Sequence, residues 1–313
     1  MDTTNVSSSR VNGFFITVAY LMVITIWSTT PLTIKWSSEG VSFIFGIVAR
    51  MVVGGALACV LTLLFYKKID LNKQAVKAYT AVALAMFGGM FPVYWGAQYI
   101  SSGLISVIFG LTPMFTGYLA WRFTNEQSFS GIKILGLLVG VAGLSVIFLD
   151  NIYLGENYLY GISSVLMAVI MHSASAVWIK RIKVEIPSIS IVAGGLLFSM
   201  PLFATVYLVF APALPSTIPH KVLWSIVYLG VVGSVIGFVC YYFLLKQLPA
   251  SKVALITLVT PVLSLWLGNT LNSEVISFSI YVGTVFVLVG LALHQWGDLL
   301  SKKIWKKRKL FYG

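Results

Sequence analysis

The chain has 313 residues, 58% of them hydrophobic and only 10% charged, with a mean hydropathy of +0.94. A soluble domain carries about 25% charged residues, so a water-soluble fold of this size cannot hide the apolar surface and lipid must be its solvent. The net charge of +12 is spread over short loops and the tail, which suits a membrane surface and argues against nucleic acid as a partner.

The first twelve residues, Met1 to Asn12, are polar with a single Arg10. The apolar run that follows is too long for a signal-peptide core and lacks a small-x-small cleavage site, so it reads as a span. A span needs about 20 mostly apolar residues, with a range of roughly 17 to 25. Ten stretches qualify: Phe14–Ile34, Val41–Tyr66, Ala78–Tyr99, Leu104–Trp121, Ile132–Leu149, Tyr158–Ile179, Ile189–Phe210, Val222–Leu245, Val253–Leu271 and Phe278–Gly297. Their connections are short, so neighbours run antiparallel, and none is long enough for a soluble domain. Cys59 and Cys240 both fall in apolar runs and read as buried, unpaired thiols; no metal spacing or disulfide framework is present.

Lysine and arginine set the expected orientation. With the N-terminus in the cytoplasm, 18 of the 21 basic residues fall on the cytoplasmic side; Lys35 and Lys221 lie in outer loops and Arg50 within a span. The loop Asp150–Asn157 has two acids and no base, as an outer loop should. The tail Lys302–Lys309, with Trp305 and Phe311, reads as an anchor on anionic lipid.

The chain also repeats itself. Thr112, Pro113 and Glu126 recur 148 residues later as Thr260, Pro261 and Glu274, and the same offset pairs Gly89 with Gly237 and Tyr94 with Tyr242. Past the turn the offset slips to 147 and pairs Gly136 with Gly283 and Gly143 with Gly290. A run of matches in one order marks an internal repeat. Five spans per copy is an odd number, so the second copy enters the membrane upside down. The expected fold is an all-α membrane protein with ten transmembrane helices in two inverted five-helix repeats. Its parts are an N-terminal segment 1–13, repeats 14–149 and 158–297, and a basic tail 298–313. Inverted repeats are a common plan of secondary transporters, with the site near the midplane where the repeats meet.

Five prolines, Pro31, Pro92, Pro113, Pro201 and Pro261, lie within spans. Each lacks an amide donor and frees the carbonyl four residues earlier, which lipid cannot satisfy. Thr112 and Thr260 stand beside their prolines to fill that role or to open a cavity. Gly136, Gly140 and Gly143 share one side of the fifth span, and Gly283 and Gly290 one side of the tenth. They read either as a packing and dimerisation surface or as core packing within one molecule.

No aspartate or glutamate lies well inside a span. That argues against an exporter of organic cations, which needs a membrane carboxylate. Arg50 has two readings at this stage: a counter-charge for a substrate carboxylate, or a structural residue that bonds kink carbonyls or snorkels. His172, in the sixth span, has a side chain that titrates near neutral pH when exposed; within a span it reads as neutral and hydrogen-bonded. The candidate substrate-binding residues are Trp27, Ser28, Tyr94, Trp95, Gln98, Thr112, His172, Tyr241, Thr257 and Thr260. A mostly apolar cavity with a few polar groups is the usual small-molecule site. Tyr94 and Trp95 come from a span pseudo-equivalent to that of Tyr241 and Tyr242, an arrangement in which they would face each other across the axis. There is no phosphate-binding loop, nucleophile elbow or metalloprotease motif, so neither an enzyme nor a direct ATP-driven pump is expected and no cofactor is implied.

At Ile26-Trp27-Ser28, Ala49-Arg50 and the two turns Leu111-Thr112-Pro113…Glu126 and Val259-Thr260-Pro261…Glu274, the sequence resembles the ten-span EamA-like permeases of the drug/metabolite transporter superfamily. The resemblance covers about Phe14–Trp296, although the family often has Trp-Gly where this chain has Trp27-Ser28. It implies cytoplasmic termini, a bacterial inner membrane, and a cavity lined by the first, third, fourth, sixth, eighth and ninth spans. It also implies movement of amino acids or similar small metabolites, most often outward. Arg50 matches a common family position, which favours its structural role. The function expected is alternating-access export of a neutral or zwitterionic metabolite, with a homodimer as a further possibility. The competing readings are an importer or exchanger of a larger metabolite and a non-transporting sensor or lipid-handling protein.

Overall fold

The computed structural model describes residues 3–124, 130–151, 157–183, 185–210, 214–253 and 256–312. Among them there is no strand. Ten helical passages follow in chain order: α1 (Thr3–Trp36), α2 (Phe43–Tyr66), α3 (Lys73–Gly96), α4 (Ser102–Thr124) and α5 (Gly131–Asn151). The second half comprises α6 (Asn157–Ile182), α7 (Ser188–Phe210), α8 (His220–Gln247), α9 (Ile256–Asn272) and α10 (Phe278–Tyr312). Eight contain stretches long and apolar enough to cross a membrane; the other two are α5, apolar over Gly131–Ile147, and the 17-residue α9. This is the expected multi-pass, all-helical fold, with most ends within a few residues of the expected spans.

Local chemistry sets several helix starts. Ser42 accepts from the Ile44 amide, Asn72 from Ala75 at 2.8 Å, and Ser101 from Leu104 at 3.3 Å. Each supplies an acceptor to a first-turn amide that has no partner within its helix. Helix α2 ends on Lys67 in the left-handed region, at φ 60°.

Helix packing repeats the symmetry of the sequence. Exchanging α1–α5 for α6–α10 turns each main contact into another main contact: α3·α6 into α8·α1, α2·α8 into α7·α3, and α1·α9 into α6·α4. The pairs α2·α7, α4·α9 and α5·α10 map onto themselves. Two copies of one five-helix unit, inserted in opposite senses, produce this pattern.

α5 and α10 pack mainly on each other, at the edge of the bundle. Their glycines are the reason they can. A Cβ on Gly136 would lie 2.5 Å from the Gly290 carbonyl oxygen, and one on Gly143 2.6 Å from that of Gly283. These glycine faces are therefore consumed within one molecule and are not available to form a dimer. Their other faces expose Leu135, Leu138, Val285 and Val289, as lipid contact requires.

Candidate functional site

Two helices break their regular pattern where the repeats meet. α4 divides into Ser102–Phe109 and Thr112–Thr124. Pro113 has no amide to offer the Phe109 carbonyl, and the Thr112 hydroxyl donates to that oxygen at 2.6 Å. α8 widens into a π-helical stretch over Leu229–Ile236. Gly230 within it packs closely on α2, since a Cβ there would lie 2.7 Å from Val53 Cγ1. The widened turn also carries Ser234, whose hydroxyl accepts from Arg50 Nε at 2.9 Å. Such π-stretches recur at functional sites.

Between these two irregular helices lies a cavity of about 60 Å³. α1 contributes Trp27, Thr30, Pro31 and Ile34, and α4 contributes Ile105, Ser106 and Phe109. Met90 and Val93 of α3, His172 of α6, Phe238 of α8, Thr257 and Thr260 of α9, and Arg50 of α2 complete it. Small-molecule sites usually enclose roughly 300 Å³ or more, so the helices must part to admit a metabolite. One wall is aromatic: the Trp27 ring lies 5.5 Å from His172, 4.9 Å from Tyr241 and 5.9 Å from Phe238.

The candidate residues divide accordingly. Trp27, His172, Thr257 and Thr260 line the cavity, and Tyr241 backs its aromatic wall. His172 is 4% exposed, its Nδ1 makes no hydrogen bond, contrary to the hydrogen-bonded histidine expected, and its ring packs against Trp27, Phe109 and Tyr241. Ser28 sits just behind, donating to the Ile24 carbonyl at 2.7 Å while its own carbonyl accepts from Ser264 at 2.7 Å. Thr112 stands at the break in α4, and its carbonyl accepts from Ser173. Tyr94 is fully buried against Arg50 and accepts from the Ser37 hydroxyl at 3.3 Å. Trp95 packs on Tyr99 and Tyr160, outside the cavity, and the exposed Gln98 donates to the Tyr94 carbonyl in its own helix. Tyr94, Trp95, Tyr241 and Tyr242 do not face each other, because adjacent positions on a helix point about 100° apart and the two pairs are turned to different neighbours.

The cavity also contains residues the sequence reading did not select: Thr30, Pro31, Ser106, Phe109 and Phe238. The repeat offset of 148 would have found Phe109 from Thr257. It pairs Met90 with Phe238 and Phe109 with Thr257, and all four line the cavity.

Arg50 does neither of the structural jobs proposed for it. It is 1% exposed, so it does not snorkel. Apart from the Ser234 bond, its guanidinium carbon lies 5.9 Å from the Tyr94 ring centroid, and Nη1 makes no hydrogen bond. A buried ion costs several kcal/mol to desolvate, whereas one hydrogen bond to a charged group returns about 1.5–3 kcal/mol.

At the end of the bundle formed by the α1–α2, α3–α4 and α9–α10 turns, polar contacts tie the helices together. Lys35 donates to the Ile100 carbonyl at 3.0 Å, and Trp36 Nε1 to Asn272 Oδ1 at 2.9 Å. Lys221 pairs with Glu39 at 2.8 Å and lies 4.7 Å from the Trp36 ring centroid. Glu274, of the repeated Pro…Glu pattern, accepts from the Ser102 amide at 2.9 Å, the Ser102 hydroxyl at 2.8 Å and the Gly103 amide at 3.3 Å. It thus caps α4 across the repeat boundary, an anion on a positive helix end. Its counterpart Glu126 lies outside the described residues. The opposite end is joined by Tyr20, which donates to the Lys252 carbonyl at 3.0 Å, and by Lys246, which donates to that of Ile186.

The sequence pattern of the EamA-like transporter family matches residues 14–149 and again 159–294. The chain belongs to this family. Among its relatives is YoaV of Bacillus subtilis (strain 168), described as an uncharacterized transporter. It is 24% identical over 88% of this chain and 94% of its own length. An uncharacterized transporter of Archaeoglobus fulgidus is 26% identical over 88% of this chain and 96% of its own. Protein PagO of Salmonella typhimurium is 24% identical, with 89% and 92% covered. A solved crystal structure matches with a TM-score of 0.65 at 19% identity, covering 89% of this chain and 96% of that one, which shows a shared fold. Family and relatives together indicate a multi-pass membrane transporter.

Proposed function

We propose that this transporter exports a small neutral or zwitterionic metabolite, such as an amino acid, by alternating access across the bacterial inner membrane, with both termini in the cytoplasm. The observation that carries this reading is the cavity where the two inverted repeats meet. Its lining joins hydroxyls from Thr30, Ser106, Thr257 and Thr260 to the rings of Trp27, Phe109, His172 and Phe238. No described residue of the lining is a carboxylate, a composition suited to a molecule without net positive charge. Rocking of the two halves would release the contacts at one end and close those at the other, exposing the site to each side in turn.

Metabolite profiling of medium and cells, with and without overexpression, tests this. The expected result is a small set of compounds enriched outside the cells. Trp27→Ala and Thr260→Val should reduce that enrichment about tenfold, since each removes a contact inside the cavity. Trp95→Ala, which lies outside it, should leave enrichment near the parent level. Accumulation inside the cells instead would overturn export in favour of uptake.

A further inference from the structure

The central cavity, taken above as the transport site, contains one fixed charge. Arg50 is 1% exposed, and its described neighbours supply a single hydroxyl and an aromatic ring. The carboxylates whose side chains are described are all elsewhere. Glu39 pairs with Lys221, Asp70 with Lys68, Glu274 caps α4, and Glu185 is exposed between α6 and α7. Nη1 of this buried cation has no hydrogen-bond acceptor.

The surrounding symmetry makes the charge more telling. Helices α3 and α8 both line the cavity, as do α4 and α9, and α1 and α6. α2 contributes only Arg50, and its counterpart α7 contributes nothing. The positive charge therefore departs from the repeat, giving the site one distinct end. The hydroxyls of Thr30 and Ser106 donate their protons to the Ile26 carbonyl and to Ser264. Their oxygens are left as acceptors, and Arg50 is the charged donor of the lining.

We propose that the transported molecule carries a carboxylate, which docks on the Arg50 guanidinium while its remainder lies against Trp27, Phe109, His172 and Phe238. The planar fork of a guanidinium matches a carboxylate in a bidentate pair. An amino acid fits this arrangement, with its ammonium directed to the Thr30 and Ser106 oxygens. An amine without an acid group does not. This inference rests on the transport reading above, and its test separates the two.

The test compares exported compounds from cells overexpressing the parent protein, Arg50→Gln and Arg50→Lys, each checked for a monodisperse, membrane-inserted product. The compounds enriched by the parent should bear a carboxylate. Their enrichment should fall about tenfold or more in R50Q and recover in part in R50K, which restores charge without the fork. If R50Q does not fold, the chemistry of the parent's compounds and the R50K result decide. Enriched compounds that lack an acid group, or R50Q export equal to the parent, would overturn Arg50 as the docking group while leaving transport intact. An absence of change in medium and cells alike would overturn the transport reading itself, and this inference with it.

Discussion

Thr112 and Pro113 show how one residue repairs what its neighbour breaks. The proline frees the Phe109 carbonyl inside the membrane, and the Thr112 hydroxyl takes it up at 2.6 Å. Thr112→Val keeps the shape and loses the donor. We expect a loss of about 1 kcal/mol, the net worth of such a bond, read as a lower Tm in detergent; Thr112→Ser should restore it. Transport should fall as well, because the break in α4 shapes the cavity. The Thr-Pro pair was legible from sequence as a place where backbone would need help. Which carbonyl would receive the help follows from the four-residue spacing of the helix. Arg50 is the contrary case: its type, its depth and the absence of acids within the spans were legible, but that it meets a single hydroxyl and a ring depends on how α2 packs on α8 and α3.

Among the helices, the glycine faces of α5 and α10 determine how closely two backbones approach. In lipid no hydrophobic force drives helices together, so close packing through small residues does. A Cβ at Gly143 would meet the Gly283 carbonyl at 2.6 Å, and backbone cannot swing aside as a side chain can. Gly143→Leu should therefore separate the pair and cost about 1–3 kcal/mol, as overpacking typically does. A thermal-unfolding measurement on the purified protein checks it. Gly13, which has open space around an added Cβ, is the control, and Gly13→Ala should leave Tm unchanged. The periodicity of these glycines was visible from sequence, but a small-residue face fits a neighbour in the same chain as well as one in another. Only the α5·α10 contact chooses between them.

The whole molecule is two copies of one unit in opposite senses, and its charge distribution makes a testable statement about topology. The turns α2–α3, α6–α7 and α8–α9 are rich in lysine and arginine, whereas the α1–α2 and α7–α8 connections each carry one lysine, Lys35 and Lys221. With Cys59 and Cys240 replaced by alanine, a cysteine at Lys73 should react with a membrane-impermeant maleimide only after the cells are opened. A cysteine at Glu39 should react in intact cells. The reverse pattern would invert the proposed orientation, while labelling of both sites from one side would contradict α2 as a membrane span.

Sequence alone determined the solvent, the number of passages and the repeat. Each follows from local composition, or from residues compared at one offset, and neither needs to know how helices meet. The cavity was a different matter. Trp27, His172, Thr257 and Thr260 come from three helices, and what gathers them is the rotation of each helix about its own axis. That rotation is set by packing on neighbours: by the π-stretch that lays α8 on α2, by the broken α4, and by glycines that admit close approach. Trp95 has the composition of a site residue and Phe238 that of an ordinary core residue, yet packing turns the first outward and the second in. Only the tertiary structure decided this, because in a membrane helix polarity no longer tells inside from outside.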